Sequence, residues 1–272
     1  MNGRAAVVAA GALVILLPNA SPSWAQPTTE TLAAWALQAA AAEARSATFA
    51  EIAGAAEGES IPVPGGTIHR WRGSVRVRNT TVDQVLDILM HPGTAPPQED
   101  VLESRVLARS GSALRVYLKL ERRTIVTVRY DTEHEVVFTR DSAARARSWS
   151  RSTRITEVGG GDRGFLWRLN AYWRYTQSGG DVRIAVESLS LSRSIPTLVR
   201  PLAAPLIARI GRESLIRTLD ALKQYIEERT ATRSAARAQS AIGGRRRFLL
   251  GQTVQGPEAP DQIHRMDADD RP

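Results

Sequence analysis

The chain of 272 residues contains no cysteine and only four histidines. The absence of cysteine excludes disulfides, thiolate nucleophiles and cysteine-ligated metals. His69, His91 and His134 have no spacing that places two of them on one face of an element, and His264 lies near the C-terminus. We therefore expect no metal site and no cofactor, and we expect the stability of the protein to come from a hydrophobic core.

The chain also lacks an apolar run of the roughly 20 residues that a bilayer-spanning helix needs. Its apolar run near the N-terminus covers residues 5–17, follows Arg4, and precedes small residues at Ser23 and Ala25. This pattern is typical of a secretory signal peptide that is cleaved after Ala25. An uncleaved N-terminal anchor is the alternative. Both place the protein outside the cytoplasm, in the periplasm or the extracellular space.

The overall composition is that of an ordinary globular protein, with 43% hydrophobic and 24% charged residues. Lys and Arg total 36 against 28 Asp and Glu, which gives a net charge of +8. The arginines are spread over many strands rather than concentrated in one groove, and an exported protein rarely meets nucleic acid, so we expect no nucleic-acid partner. The surplus charge favours solubility and peripheral contact with anionic lipid head groups at a membrane.

The order of predicted elements divides the chain into four parts. Residues 1–25 are the signal peptide, and residues 26–66 are an Ala-rich helical segment followed by a linker of turn-forming residues. Residues 67–228 form the main domain, with one strand, a helix that begins near Thr80, seven consecutive strands and a helix over 205–228. Short connections between the strands predict an antiparallel sheet. Residues 229–272 contain a basic block and then an acidic block, which predicts a disordered tail.

The main domain resembles the START/polyketide-cyclase (SRPBCC) superfamily, whose fold is called helix-grip. The resemblance covers about residues 67–228 and depends on three stretches, Trp71–Leu86, Phe165–Tyr175 and Ser190–Pro196. It implies an α+β fold in which a curved antiparallel sheet wraps a long C-terminal helix. It also implies a cavity between sheet and helix for a hydrophobic or amphipathic small molecule, such as a lipid. Members of the superfamily differ widely in activity, so the resemblance implies a pocket more firmly than a reaction.

Alternating apolar and polar residues predict which side chains line this cavity. We expect contact with the apolar part of the ligand from Leu118, Val128, Tyr130, Trp167, Leu169, Trp173 and Ile210. We expect polar groups to orient a head group at Lys119, Arg154 and Tyr172. A single bulge in a strand would reverse these face assignments. For any individual tryptophan, filling of the core is the simpler interpretation.

Catalysis remains an alternative to simple binding. A cyclase, aromatase or hydrolase would use the same cavity, with either His134 or the group of Glu99, Asp100 and Glu103 as acid or base. The run Asp131-Thr132 predicts a turn, however, which would put His134 in a solvated hairpin. A third alternative is an interaction module whose tail recruits partners. We predict binding without covalent chemistry.

Overall fold

The computed structural model describes residues 26–52, 54, 56–92, 100–123, 127–159, 164–194 and 200–251. The predicted signal peptide, Glu99 and residues 252–272 lie outside these ranges. The helices are α1 (Thr29–Ala47), α2 (Val82–Met90) and α3 (Arg200–Gly251). The strands are β1 (Glu57–Val63), β2 (Gly66–Val77), β3 (Val101–Ser110), β4 (Ala113–Arg123), β5 (Thr127–Arg140), β6 (Arg145–Glu157), β7 (Leu166–Ser178) and β8 (Asp181–Arg193).

The eight strands form one antiparallel sheet in the order β1-β2-β8-β7-β6-β5-β4-β3. Connections of two to eight residues join β3 through β8, and neighbours in sequence are neighbours in the sheet. The connection through α2 carries the chain from β2 to β3 at the other edge, which lets β8 return beside β2. This order, followed by the long C-terminal helix, is the helix-grip arrangement, and the predicted α+β fold class is confirmed.

The two faces of the sheet are covered by different helices. We call the face that packs against α2 and α3 the inner face, and its core includes Val85 of α2 and Leu219 of α3. The opposite, outer face packs against α1, where Trp35 meets Ile68 and Leu189. A bidentate ion pair joins Arg45 of α1 to the buried Glu187 of β8 with its shorter distance at 2.6 Å. The N-terminal helix therefore covers the back of the sheet and not its inner face.

Two predicted boundaries in the sheet are wrong. The linker predicted before residue 67 contains β1, which pairs along its whole length with β2. Glu57 forms an ion pair with Arg72 at 2.9 Å, and Glu59 forms one with Arg70, so cross-strand charge pairs support this edge. The turn predicted at Asp131-Thr132 is absent, because one strand, β5, runs through both residues. The Thr132 hydroxyl is buried and donates to the carbonyl of Leu118 at 3.2 Å.

The apolar face predicted for the C-terminal helix is confirmed, since Ile207, Leu215, Leu219, Leu222 and Ile226 are all buried. The helix does not end at Glu228 as predicted but continues to Gly251. Residues 229–247 are rich in Ala and Arg and contain no proline, which favours helix over disorder. The chain divides into two compact units, with the first ending at Thr230. None of the described helices has the length and apolarity needed to cross a membrane.

Candidate functional site

One half of the inner face is filled by α3. The strand register aligns five inward-facing residues in one row across the sheet, namely Gly73, Val186, Trp173, Ser148 and Phe138. A Cβ atom built on Gly73 would lie 3.1 Å from Leu219 and 3.2 Å from Leu215, so the helix approaches the sheet as closely as a glycine allows. We call this row, with the α2 and α3 side chains on it, the packed half. At this row the helix packs directly on the sheet.

Two residues further along each strand, the inner face becomes polar. The adjacent row contains Trp71, Ser188, Ala171, Ser150 and Val136. The row after it contains His69, Ser190, Leu169, Ser152 and His134. We call these two rows the polar band. All their members are buried except Ser152, which is half-buried, and Trp71, Ala171 and Val136 also belong to the apolar core that contains α2 and α3 side chains.

Both histidines of the band are neutral hydrogen-bonding groups. His69 lies between the hydroxyls of Ser60 at 2.8 Å and Ser192 at 3.0 Å. His134 lies between the hydroxyls of Thr132 at 3.1 Å and Ser150 at 3.4 Å. Burial lowers the pKa of each imidazole to about 4. At neutral pH the polar band therefore carries hydroxyl and imidazole groups but no charge.

Two polar atoms of the band have no hydrogen-bond partner among the described residues. They are the hydroxyl of Ser190 and the indole N–H of Trp71, and both are buried. A buried polar group without a partner costs about 1–3 kcal/mol. These atoms sit on adjacent strands of the same face, one on each row of the band. They offer one donor and one hydroxyl that either donates or accepts.

A second apolar cluster overlaps the band at Leu169 and continues beyond it on the inner face. It contains Val128, Tyr130, Leu166 and Leu169. At its end the hydroxyl of Tyr130 donates to Glu157 at 3.2 Å, and burial, with this carboxylate beside it, raises the tyrosine pKa. The inner face therefore changes along the strands from packed apolar residues to an uncharged polar band and then to a second apolar cluster.

Five of the ten predicted ligand-contacting residues lie on the inner face of the sheet, and a sixth, Ile210, packs against this face from α3. Leu118 and Trp173 belong to the core cluster on which Ile210 packs. Val128, Tyr130 and Leu169 form most of the second apolar cluster. The prediction placed all of them in one cavity, whereas the structure divides them between two clusters.

The other four lie away from the inner face, and strand bulges explain two of them. The register shift between Leu166 and Arg168 turns Trp167 to the outer face, where it packs with Tyr172 under α1. The register shift between Glu133 and His134 turns Arg154 to the outer side. There it is exposed and forms an ion pair with Glu133 at 3.5 Å.

Tyr172 and Lys119 lie on the outer side because each directly follows an inward-facing residue on its strand. Tyr172 follows the inward Ala171, and its hydroxyl accepts a hydrogen bond from Asn170 at 3.2 Å. The outer side of β7 is therefore buried beneath α1. Lys119 follows the inward Leu118 on β4, so its half-buried side chain leaves on the outer side.

Sequence reasoning missed the polar band. The prediction of a solvated hairpin at His134 is wrong, because the inward alternation continues without a break from Val128 to Phe138. His69 and Ser190 were not singled out, since their alignment with His134 depends on which strands pair. Of the three carboxylates proposed as acid or base, Glu99 lies outside the described residues. Asp100 forms an ion pair with Arg217 at 3.6 Å, and Glu103 forms one with Arg105 at 2.7 Å.

A small cavity of about 110 Å³ lies on the outer side of the sheet. Its lining is mostly polar and comes from α1, β5, β6 and β7, with Glu43, Ser46, Thr139, Arg147, Ser148, Trp149 and Tyr172. The cavity is well below the roughly 300 Å³ at which pockets for drug-sized ligands begin. Within the described part of the chain, no group of three or more His, Asp or Glu side chains is placed to hold a metal ion.

No protein-family model and no curated protein sequence matches the chain. Solved structures with a similar fold include a STAR-related lipid transfer protein from Xanthomonas axonopodis, at 16% identity and a TM-score of 0.44 over 62% of this chain and 98% of that one. The Zhui aromatase/cyclase from Streptomyces sp. R1128 is 11% identical, with a TM-score of 0.43 over 60% and 96%. The protein TTHA0849 from Thermus thermophilus is 18% identical, with a TM-score of 0.42 over 58% and 96%. The similarity is one of fold alone.

Proposed function

We propose that this protein binds a hydrophobic or amphipathic small molecule, such as a lipid, on the inner face of its sheet. The observation that supports this proposal is the uncharged polar band between the packed half and the second apolar cluster. Since α3 fills the packed half, the apolar part of the ligand lies over the second cluster and its polar part meets the band.

Burial of apolar surface supplies the affinity in this proposal. Each methylene group removed from water contributes about 0.8 kcal/mol. The side chains of Val128, Leu166 and Leu169 provide an apolar surface for such a chain. The hydroxyl of Ser190 and the N–H of Trp71 then orient the polar end of the molecule, because both are without partners in the described structure. No covalent step is needed.

Tryptophan fluorescence tests this proposal with a matched pair of variants. Trp71 and Trp167 are 5% and 7% exposed, and both have an indole N–H without a partner in the described structure, but they lie on opposite faces of the sheet. We expect dodecanol to change the emission of the wild type and of Trp167→Phe, and to change that of Trp71→Phe much less. Equal responses from the two variants would contradict binding at the band.

Native mass spectrometry of protein purified from its own cell envelope is the complementary experiment. We expect a co-purified small molecule of lipid-like mass. A protein that carries none, and that also shows no response to dodecanol, does not have the proposed function.

Catalysis by His134 is the second candidate, and one observation favours it. The imidazole lies on the inner face, within the band, and its lowered pKa of about 4 keeps it unprotonated at neutral pH. A cyclase or hydrolase would lose turnover in His134→Gln while still binding its ligand. A variant that loses affinity alone supports the binding function instead.

We also propose that residues 1–25 direct export and that the mature chain begins at Gln26. The intact mass of protein from the envelope fraction tests this directly, because an uncleaved chain would retain those residues. For the positive surplus of 36 Lys and Arg against 28 acids, we propose peripheral contact with anionic lipids. Co-sedimentation with phosphatidylglycerol vesicles, but not with phosphatidylcholine vesicles, is the expected result.

A further inference from the structure

The polar band carries no charge, and this restricts the class of ligand that it accepts. Its two rows contain hydroxyl, imidazole, indole and apolar side chains, and no Lys, Arg, Asp or Glu. The two cations that the sequence predicts to orient a head group lie outside the band. Lys119 is on the outer side of the sheet, and Arg154 is exposed. A carboxylate or phosphate placed against the band would therefore lose its hydration without gaining an opposite charge.

The hydrogen-bonding groups of the band instead match an uncharged oxygen. The indole N–H of Trp71 only donates, whereas the hydroxyl of Ser190 donates or accepts. An alcohol, ester or ketone oxygen accepts a hydrogen bond from the indole of Trp71 and another from the hydroxyl of Ser190. An alcohol can instead donate to the Ser190 hydroxyl. The two histidines are already held by hydroxyls on both ring nitrogens, so they frame the site rather than compete for the ligand.

We propose that the ligand is an uncharged amphiphile with a hydroxyl or carbonyl oxygen at one end, held by Ser190 and Trp71, with its apolar chain over the second apolar cluster. This inference rests on the proposed function and specifies its ligand class. It excludes free fatty acids and charged phospholipid head groups from the band.

Three ligands of equal chain length test the inference at pH 7, namely dodecanol, dodecane and dodecanoate. We expect dodecanol to bind the wild-type protein at least about tenfold more tightly than dodecanoate, and more tightly than dodecane. In Ser190→Ala we expect the affinity for dodecanol to fall about five- to tenfold, with little change for dodecane. Equal or tighter binding of dodecanoate would overturn the inference and leave the proposed function standing.

A matched control separates loss of a contact from loss of a buried serine. Ser148 is on the same face and is 3% exposed, as against 2% for Ser190, but it belongs to the packed half and bonds to the hydroxyl of Tyr175 at 2.9 Å. Ser148→Ala should leave the preference for dodecanol unchanged. If both variants weaken dodecanol binding equally, Ser190 does not hold the ligand oxygen. If none of the three ligands binds the wild type, the proposed function fails together with the inference, and if the variant does not fold, the wild-type preference alone decides.

Discussion

The packed half and the polar band belong to the same strands of the same sheet face, yet they have opposite characters. A shift of two residues along β2 replaces Gly73, which lies under α3, with Trp71, and a further two residues reach His69. Along β8 the same shift replaces Val186 with Ser188 and then Ser190. The helix can approach closely where the residues are small or apolar. Where they are polar, the face retains hydrogen-bonding groups that no helix side chain in the described structure satisfies.

This difference indicates that two parts of one core have different roles. The packed half supplies the stability of the domain through buried apolar area. The polar band and the second cluster beyond it sacrifice some stability and keep a surface that suits a ligand. The following predictions test these two roles, in order of decreasing expected effect.

Truncation in the packed half should cause the greatest loss of stability. Trp173→Ala removes a buried indole that packs between the sheet and α3, so we expect the free energy of unfolding to fall by about 3–5 kcal/mol. Urea denaturation measures this loss. Leu37→Ala on α1 is the control, because Leu37 is 73% exposed and its removal should change the free energy by less than about 0.5 kcal/mol. A loss below 1 kcal/mol at Trp173 would mean that this half is not tightly packed.

The two histidines of the band should make the protein sensitive to acid. The pKa of each imidazole falls from 6.5 to about 4 on folding, so the unfolded chain binds more protons between these pH values. The free energy of unfolding should therefore be constant above pH 6.5 and decrease as the pH falls towards 4, by up to about 3 kcal/mol for each histidine.

Urea denaturation at several pH values tests this sensitivity. The slope between pH 6.5 and 4 should become smaller in His69→Asn and in His134→Asn. His91 is the control, since it is the exposed C-cap residue of α2 and lies outside the band, and His91→Asn should change the slope least of the three variants. A slope that is the same in all three variants would show that the imidazoles of the band are not buried in the neutral form.

Two neighbouring serines of β8 should respond with opposite signs. The hydroxyl of Ser192 is bonded to His69 at 3.0 Å, so Ser192→Ala should destabilise the protein by about 1 kcal/mol. The hydroxyl of Ser190 has no partner in the described structure, so Ser190→Ala should stabilise the ligand-free protein by about 1 kcal/mol. Chemical denaturation of the two single variants measures the difference. Equal destabilisation by both would indicate that Ser190 is satisfied within the fold.

The smallest effect is expected at Arg154, outside both regions. Its ion pair with Glu133 is exposed, so Arg154→Ala should change the free energy of unfolding by less than about 0.5 kcal/mol. The affinity for dodecanol should also remain the same. A clear loss of affinity would restore the original hypothesis that this arginine orients a ligand head group.

Much of the fold could be predicted from local patterns. The strand periods, the buried stripe from Ile207 to Ile226 and the capped start of α2 depend on residues close together in the chain. The helix-grip order was therefore predictable, and so was the inward face of Leu118, Tyr130, Leu169 and Trp173. The errors occur where local cues conflict with pairing. Asp131-Thr132 is typical of a turn, yet β5 continues because neighbouring strands on both sides satisfy its backbone.

Local sequence patterns are sufficient to specify an α+β chain with a long apolar helix face and strands whose side chains alternate. Which residues share a row depends on the folded sheet, because a row is set by the pairing of strands that are distant in sequence. His69 and His134 are joined into one band by the register of four intervening strand pairings, and no local pattern encodes that register. Bulges decided the faces of Trp167 and Arg154 for a related reason, since one extra residue reverses the side of every residue that follows it.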